Sequence, residues 1–147
     1  MTSPLPVVSL DLPAERSSPA VARAVLAEFA RACPAVRLAE AEIAELCVVV
    51  HEACTNVIQH ALGGDRERRF RLELHRRAAG LEIVIEDDGA AYELPERGPP
   101  APEALRERGY GLHIMRSWSD SVRLERRGSV NRLRLFRRYE VSAGERT

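Results

Sequence analysis

The sequence predicts a two-layer α/β sandwich, an α+β arrangement in which a mostly antiparallel mixed sheet is covered on one face by helices. Three observations carry this. Two stretches, 17–34 and 38–62, repeat apolar residues at helical spacing, and after them the period switches to two. The strands so marked carry charge on alternate positions, so one sheet face is apolar and needs a cover. The helices are the only cover available.

Taken in chain order, Val7, Val8 and Leu10 lie between prolines in Leu5–Leu12 and suggest a short edge strand, where proline is tolerated. Ser17-Ser18-Pro19 then opens a helix with a serine cap and a first-turn proline. Val21, Val25, Leu26 and Phe29 form its stripe and Pro34 ends it. A second helix is expected from Leu38 to Leu62, striped by Ile43, Leu46, Cys47, Val50, Cys54, Val57, Ile58 and Ala61 and stopped at Gly63-Gly64.

Phe70, Leu72 and Leu74 alternate with Arg71, Glu73 and His75, and Leu81, Ile83 and Ile85 alternate with Glu82, Val84 and Glu86. Ala79-Gly80 between them predicts a hairpin. Residues 90 to about 110 are rich in Pro, Gly, Glu and Arg and read as a lid loop. A short helix over Gly111–Trp118 and a final hairpin, Ser121–Glu125 and Val130–Tyr139 around Gly128, complete the chain, with a frayed tail.

Composition bounds the function. With 147 residues the chain suits one domain spanning 1–147. Its 22 basic and 22 acidic residues cancel, so no overall field favours nucleic acid or an anionic membrane. The absence of an apolar run of roughly 20 residues argues against a membrane span, and the first residues lack the pattern of a secretory signal, which makes the cytoplasm the default expectation. Cys33, Cys47 and Cys54 show no Cys-x-x-Cys spacing and read as reduced core thiols. His51-Glu52 begins like a metalloprotease helix, but position 55 is Thr55, so no zinc pair forms.

Three segments carry chemistry. On a helical wheel Glu52 and Asn56, four apart, share the side opposite Val50 and Cys54, with His60 next in line. Val48 and Val49 are apolar on that same side, which suggests a helix covered all round and a cavity beyond the covered turn. There Glu52 suits a general base and Asn56 a metal ligand. Asp87 continues the parity of Leu81, Ile83 and Ile85, so its carboxylate points toward the helix layer and needs a donor, for which an adenine amino group is a candidate. Gly89 would let backbone approach the base. Gly109-Tyr110-Gly111 precedes a helix N-terminus and offers amides to phosphate, with Arg106 and Arg108 beside it. The clusters Arg66–Arg69 and Arg126-Arg127 read as mixed-charge surface.

Together, Glu52-x-x-x-Asn56-x-x-x-His60, Asp87-x-Gly89 and Gly109-x-Gly111-Leu112 resemble the N, G1 and G2 boxes of the GHKL ATPases, which have a Bergerat-type ATP-binding fold. Glu52-Ala53-Cys54-Thr55-Asn56 and the small size narrow the resemblance to the serine-kinase anti-sigma factors of bacterial partner-switching systems. The resemblance implies an ATP-dependent protein-serine kinase and anti-sigma-type regulator. Its substrate would be a small anti-anti-sigma protein of STAS type, a sigma factor would be a second partner, and the usual assembly is a homodimer.

Carried over by motif, Glu52 activates the substrate hydroxyl, Asn56 coordinates Mg²⁺, and Asp87 takes the adenine amino group. His60, Gly89, Ala91, Arg108, Tyr110 and Leu112 fall in the nucleotide-binding boxes. Gly109 and Gly111 cradle phosphates, and Ser129, in the place of a frequent Gly-Thr, lies near the base. The chain departs from the family at Ala91, where the G1 box usually has its second glycine. Two other readings remain: a non-catalytic nucleotide-binding module that sequesters a regulator, and a switch protein that controls a partner phosphatase or kinase.

Overall fold

The alternating segments form two hairpins, and the rest of the molecule is arranged around them. The computed structural model describes residues 7–94 and 109–140. In order, the elements are β1 (Val8–Pro13), α1 (Ser18–Ala32), α2 (Glu40–Asn56), a π-helical turn (Val57–Ala61), β2 (Arg69–Arg76), β3 (Gly80–Asp87), α3 (Gly109–Ser117), β4 (Ser121–Arg127) and β5 (Val130–Arg138). Leu5, at the expected start of the first strand, lies outside the described residues, as do positions 95–108 of the expected lid.

The five strands run in the order β1-β2-β3-β5-β4. Every described pairing is antiparallel, so the mixed sheet expected from the sequence is not found among these residues. The reason is topological. The crossover through α3 lays β4 parallel to β3, but the hairpin return β5 inserts between them and pairs with both. Register places Leu72 opposite Ile85, Leu74 opposite Ile83, and Ile85 and Ile83 opposite Leu133 and Leu135. These residues form one buried apolar face beneath the helices.

The opposite face is the charged one. Glu73 pairs with His75 at 3.0 Å, Arg77 with Glu82 at 2.9 Å, and Arg132 with Glu86. Val84, at the centre of that face, is 0% exposed. Its cross-strand neighbours are Glu73 and Arg134.

In α2 the expected stripe holds, with Ile43, Leu46, Val50 and Cys54 buried, whereas the buried face of α1 is turned from the expected one. In α1 the core residues are Ala22, Leu26 and Ala30, whereas Val21 is 44% exposed. Ala22, Leu26 and Ala30 recur every fourth residue and set the face that α1 buries, which leaves Val21 outside it. Ser17 makes no side-chain cap bond, and buried Ser18 donates instead to the Pro13 carbonyl at 2.6 Å, tying α1 to β1. In α2 the core includes Val49 and Ala53, while Val48 is 38% exposed, so the helix is not covered all round as its apolar run implied.

The α-helix stops at Asn56, earlier than the expected Leu62, and continues as the π turn, in which the Leu62 amide bonds to the Val57 carbonyl five residues back. Gly63 and Gly64, at φ of +62° and +73°, then end it as expected. Neither residue has a Cβ to oppose that left-handed backbone.

Candidate nucleotide site

The site is built at the ends of elements that the core already fixes. Asp87 is the last residue of β3 and keeps the inward parity of Ile83 and Ile85, so it is 4% exposed. Its Oδ1 accepts from the Gly89 amide at 2.8 Å and from Asn131 Nδ2 at 2.9 Å. Its Oδ2 is buried with no partner. Burial pushes the Asp87 carboxyl up, and the bonds from Asn131 and Gly89 pull against that shift. An orphaned, buried acceptor beside a strand end is a socket for a ligand donor.

The loop after Asp87 is held from three sides. Asn131 Nδ2 also donates to the Ala90 carbonyl at 2.9 Å. Arg126 donates to the Gly89 carbonyl at 3.1 Å and to Asn131 Oδ1 at 2.9 Å. The Ala90 amide bonds to the Ala61 carbonyl, in the π turn, at 2.9 Å. That docking explains Gly89 without a positive φ: a Cβ there would lie 2.1 Å from the Ala61 carbonyl oxygen. Outside the pocket, Arg68 pairs with Asp88 at 2.8 Å on the surface. The Tyr92 hydroxyl is buried without a partner, and burial together with the Asp87 charge pushes its ionisation upward, so it remains a protonated donor.

Glu52 and Asn56 lie one turn apart on α2, both half-buried. Neither side chain has a hydrogen-bond partner among the described residues. The first turn of α3 closes over Glu52: Gly111 is buried, and a Cβ on it would come within 2.8 Å of Glu52 Oε2. The structure therefore joins two of the three sequence segments directly, Glu52 with Gly111. The third is joined through the backbone of the π turn.

Gly109, Tyr110 and Gly111 belong to α3 itself, not to a loop before it as the sequence suggested. First-turn amides of a helix lack intrahelical acceptors, so they remain available to an anion from within the helix. Leu112 is 7% exposed and part of the core, anchoring that turn. His60 sits half-buried in the π turn. Ala91 is exposed and has no positive φ, so its methyl group costs no backbone strain. Arg106 and Arg108 lie outside the described residues.

Ser129 falls in the exposed turn between β4 and β5, and the place beside Asp87 is taken by Asn131, two residues on. Asn131 carried a legible signal. It shares the parity of Leu133 and Leu135, so a polar residue stood on an apolar face next to an acid on the neighbouring strand. The clamp from Arg126 and the Ala61 carbonyl had no such mark.

A cavity of about 350 Å³ lies at the other end of α2, between Glu42, Glu45, Trp118 and Arg137. There Arg137 bonds Glu45 at 3.0 Å, Glu42 at 3.3 Å and the Trp118 carbonyl at 2.9 Å, a bracing contact between layers away from the segments above. No group of three or more metal-binding side chains occurs among the described residues.

The profile of the histidine kinase-like ATPase domain matches residues 12–137. The chain belongs to that family. Within it, the chain is 31% identical over 97 residues to the serine-protein kinase RsbW of Bacillus subtilis (strain 168), covering 60% of this chain and 61% of that protein. It is 28% identical over 131 residues to RsbW of Oceanobacillus iheyensis, covering 84% and 81%. The matches to the Bacillus subtilis and Bacillus licheniformis relatives span 61% and 58% of their length.

Solved structures share the fold. The RsbU and RsbW domains of Rv1364c from Mycobacterium tuberculosis superpose with a TM-score of 0.65 at 15% identity, over 92% of this chain and 32% of that one. The SiaB-SiaC complex from Pseudomonas aeruginosa gives 0.63 at 17% identity, over 89% of each chain. Both likenesses concern the fold.

Proposed function

We propose that this histidine kinase-like ATPase domain is an ATP- and Mg²⁺-dependent protein-serine kinase whose substrate is a small antagonist protein of STAS type. The observation that carries the reading is the pairing of an orphaned acceptor, Asp87 Oδ2, with the Glu52–Gly111 contact. Glu52 lies on α2 itself, and the loop after Asp87 is docked on the Ala61 carbonyl of the π turn that continues that helix.

In this reading Asp87 takes the amino group of adenine, and the first amides of α3 receive the phosphates. Asn56 would hold a Mg²⁺ ion beside the nucleotide phosphates through its amide oxygen. When bound, that ion neutralises charge on the transferred phosphoryl group. Glu52 accepts the proton of the substrate serine as its oxygen attacks, and positioning does the rest. The kinase names of the relatives support transfer, and the solved complex of a similar fold with a second protein supports a protein partner. Binding of a sigma factor, a homodimer and a cytoplasmic location belong to the same proposal. No described helix is long and apolar enough to cross a membrane.

The test is phosphate transfer from labelled ATP to a candidate STAS-type protein, with melting temperature followed in parallel. Mg²⁺-ATP raises the melting temperature of both wild type and Glu52→Ala, and the substitution lowers transfer about 10²- to 10⁴-fold. Stabilisation by nucleotide without transfer by the wild type would favour a sequestering module. No stabilisation at millimolar ATP would end the nucleotide reading.

A further inference from the structure

Asn131 is 1% exposed, and every polar atom of its side chain is engaged. Nδ2 donates to Asp87 Oδ1 and to the Ala90 carbonyl, both at 2.9 Å, and Oδ1 accepts from Arg126 at 2.9 Å. The sense of the amide is fixed by these partners, because a guanidinium only donates and a carboxylate only accepts. With the Gly89 amide at 2.8 Å, Asp87 Oδ1 already has two donors. The remaining acceptor capacity is concentrated on buried Oδ2.

We propose that Asn131, held by Arg126, is the positioning residue of the base site, orienting Asp87 so that Oδ2 alone faces the ligand and selects a 6-aminopurine over a 6-oxopurine. This inference rests on the nucleotide reading above. A 6-amino group donates to Oδ2, whereas a 6-oxo group would set two acceptors against each other in a buried site.

The same bond sustains the anion. Burial and the neighbouring Asp88 favour the protonated acid, while Asn131, the Gly89 amide and the Arg126 charge from β4 favour the carboxylate. Arg68, paired to Asp88, and Tyr92 from the following loop are the other ionisable groups that feel Asp87. A protonated Asp87 could place its proton on Oδ2 and would then present a donor to a donor. Losing Asn131 therefore weakens binding most at low pH.

The experiment is calorimetric titration of Mg²⁺-ADP and Mg²⁺-GDP into wild type, Asn131→Leu and Arg126→Ala between about pH 5.5 and pH 8. Wild type prefers ADP. Asn131→Leu, which keeps the branched shape without the donor, lowers ADP affinity about tenfold near neutrality and moves the acid limb of binding to higher pH, with GDP little changed. Arg126→Ala, at an exposed position, gives a smaller change in the same direction and decides the matter should Asn131→Leu not fold. Unchanged affinity, or one equal loss at every pH and for both nucleotides, overturns the positioning role while leaving the nucleotide site standing. A wild-type chain that binds neither nucleotide overturns both.

Discussion

The two ends of the site are built to different standards of rigidity. At the base end Asp87, Gly89, Ala90, Asn131 and Arg126 share a closed set of hydrogen bonds, docked onto the Ala61 carbonyl. At the phosphate end Glu52 and Asn56 stand half-buried with no hydrogen-bond partner among the described residues, and the contact with α3 is a glycine against a flexible carboxylate. Recognition of a base gains from preorganisation, because the ligand then orders fewer groups. Phosphoryl transfer needs groups that rearrange around substrate and metal. In the proposed reading, the frame is fixed where a base would be recognised and left adjustable where phosphoryl transfer would occur.

Four substitutions or probes sharpen or break that contrast. Gly89→Ala should do the most damage. Its methyl group would meet backbone at 2.1 Å, and neither strand end nor π turn can yield, so we expect a loss of about 1–3 kcal/mol by denaturant titration together with loss of ATP stabilisation. A variant with wild-type stability would show that the base end is soft after all.

Asp87→Asn keeps the two bonds accepted at Oδ1 but removes a buried charge. Because the folded carboxyl is shifted above its ordinary value, its contribution to stability is full below about pH 3.9 and is lost as pH rises through the folded value. The substitution should therefore raise stability at neutral pH by about 1 kcal/mol while abolishing nucleotide binding. The gain should vanish in acid. Thermal melts at several pH values measure it, and a uniform gain would deny the charge effect.

Gly111→Ala meets only the far end of the Glu52 side chain, which can turn aside. Here stability should change by less than about 0.5 kcal/mol, and the transfer rate should fall with little change in nucleotide affinity. A large stability loss would mean that the phosphate end is as tightly packed as the base end.

Thiol labelling gives the mildest test. The Arg76 guanidinium, bonded to Cys33 at 3.2 Å, holds that thiol below the ordinary range, whereas burial raises Cys47 and pushes Cys54 up to about 12. Iodoacetamide at neutral pH should label Cys33 first, Cys47 slowly and Cys54 only on unfolding. Cys54 lies between Glu52 and Asn56 on the core side of α2, so native-state labelling there would show the helix itself opening.

Much of this was legible in the residues. Period-two alternation located β2 and β3, and the continued parity of Asp87 put its carboxylate inside. The losses have physical causes. Val21 and Val48 are apolar yet exposed because the buried faces run through Ala22, Leu26 and Ala30 in one helix and include Val49 and Ala53 in the other, so small residues help set a face that apolar area alone does not locate. Val57, Ile58 and Ala61 suit an α-helix as well as the π turn, since both bury adjacent residues in the last turn. Ser129 came from the resemblance, in the place of a frequent Gly-Thr, yet the residue beside Asp87 is Asn131, set there by cross-strand register.

The π turn has a consequence for editing the chain. A residue removed from an ordinary loop shortens a path, but one removed between Asn56 and Gly63 would let the π turn rewind as α-helix, whose tighter winding takes up the missing residue and leaves Glu52 and Asn56 on nearly the same side relative to the Ala61 carbonyl. The π turn thus holds one residue more than an α-helix spanning the same arc would need, and that residue is the slack in the chain between Asn56 and Gly63.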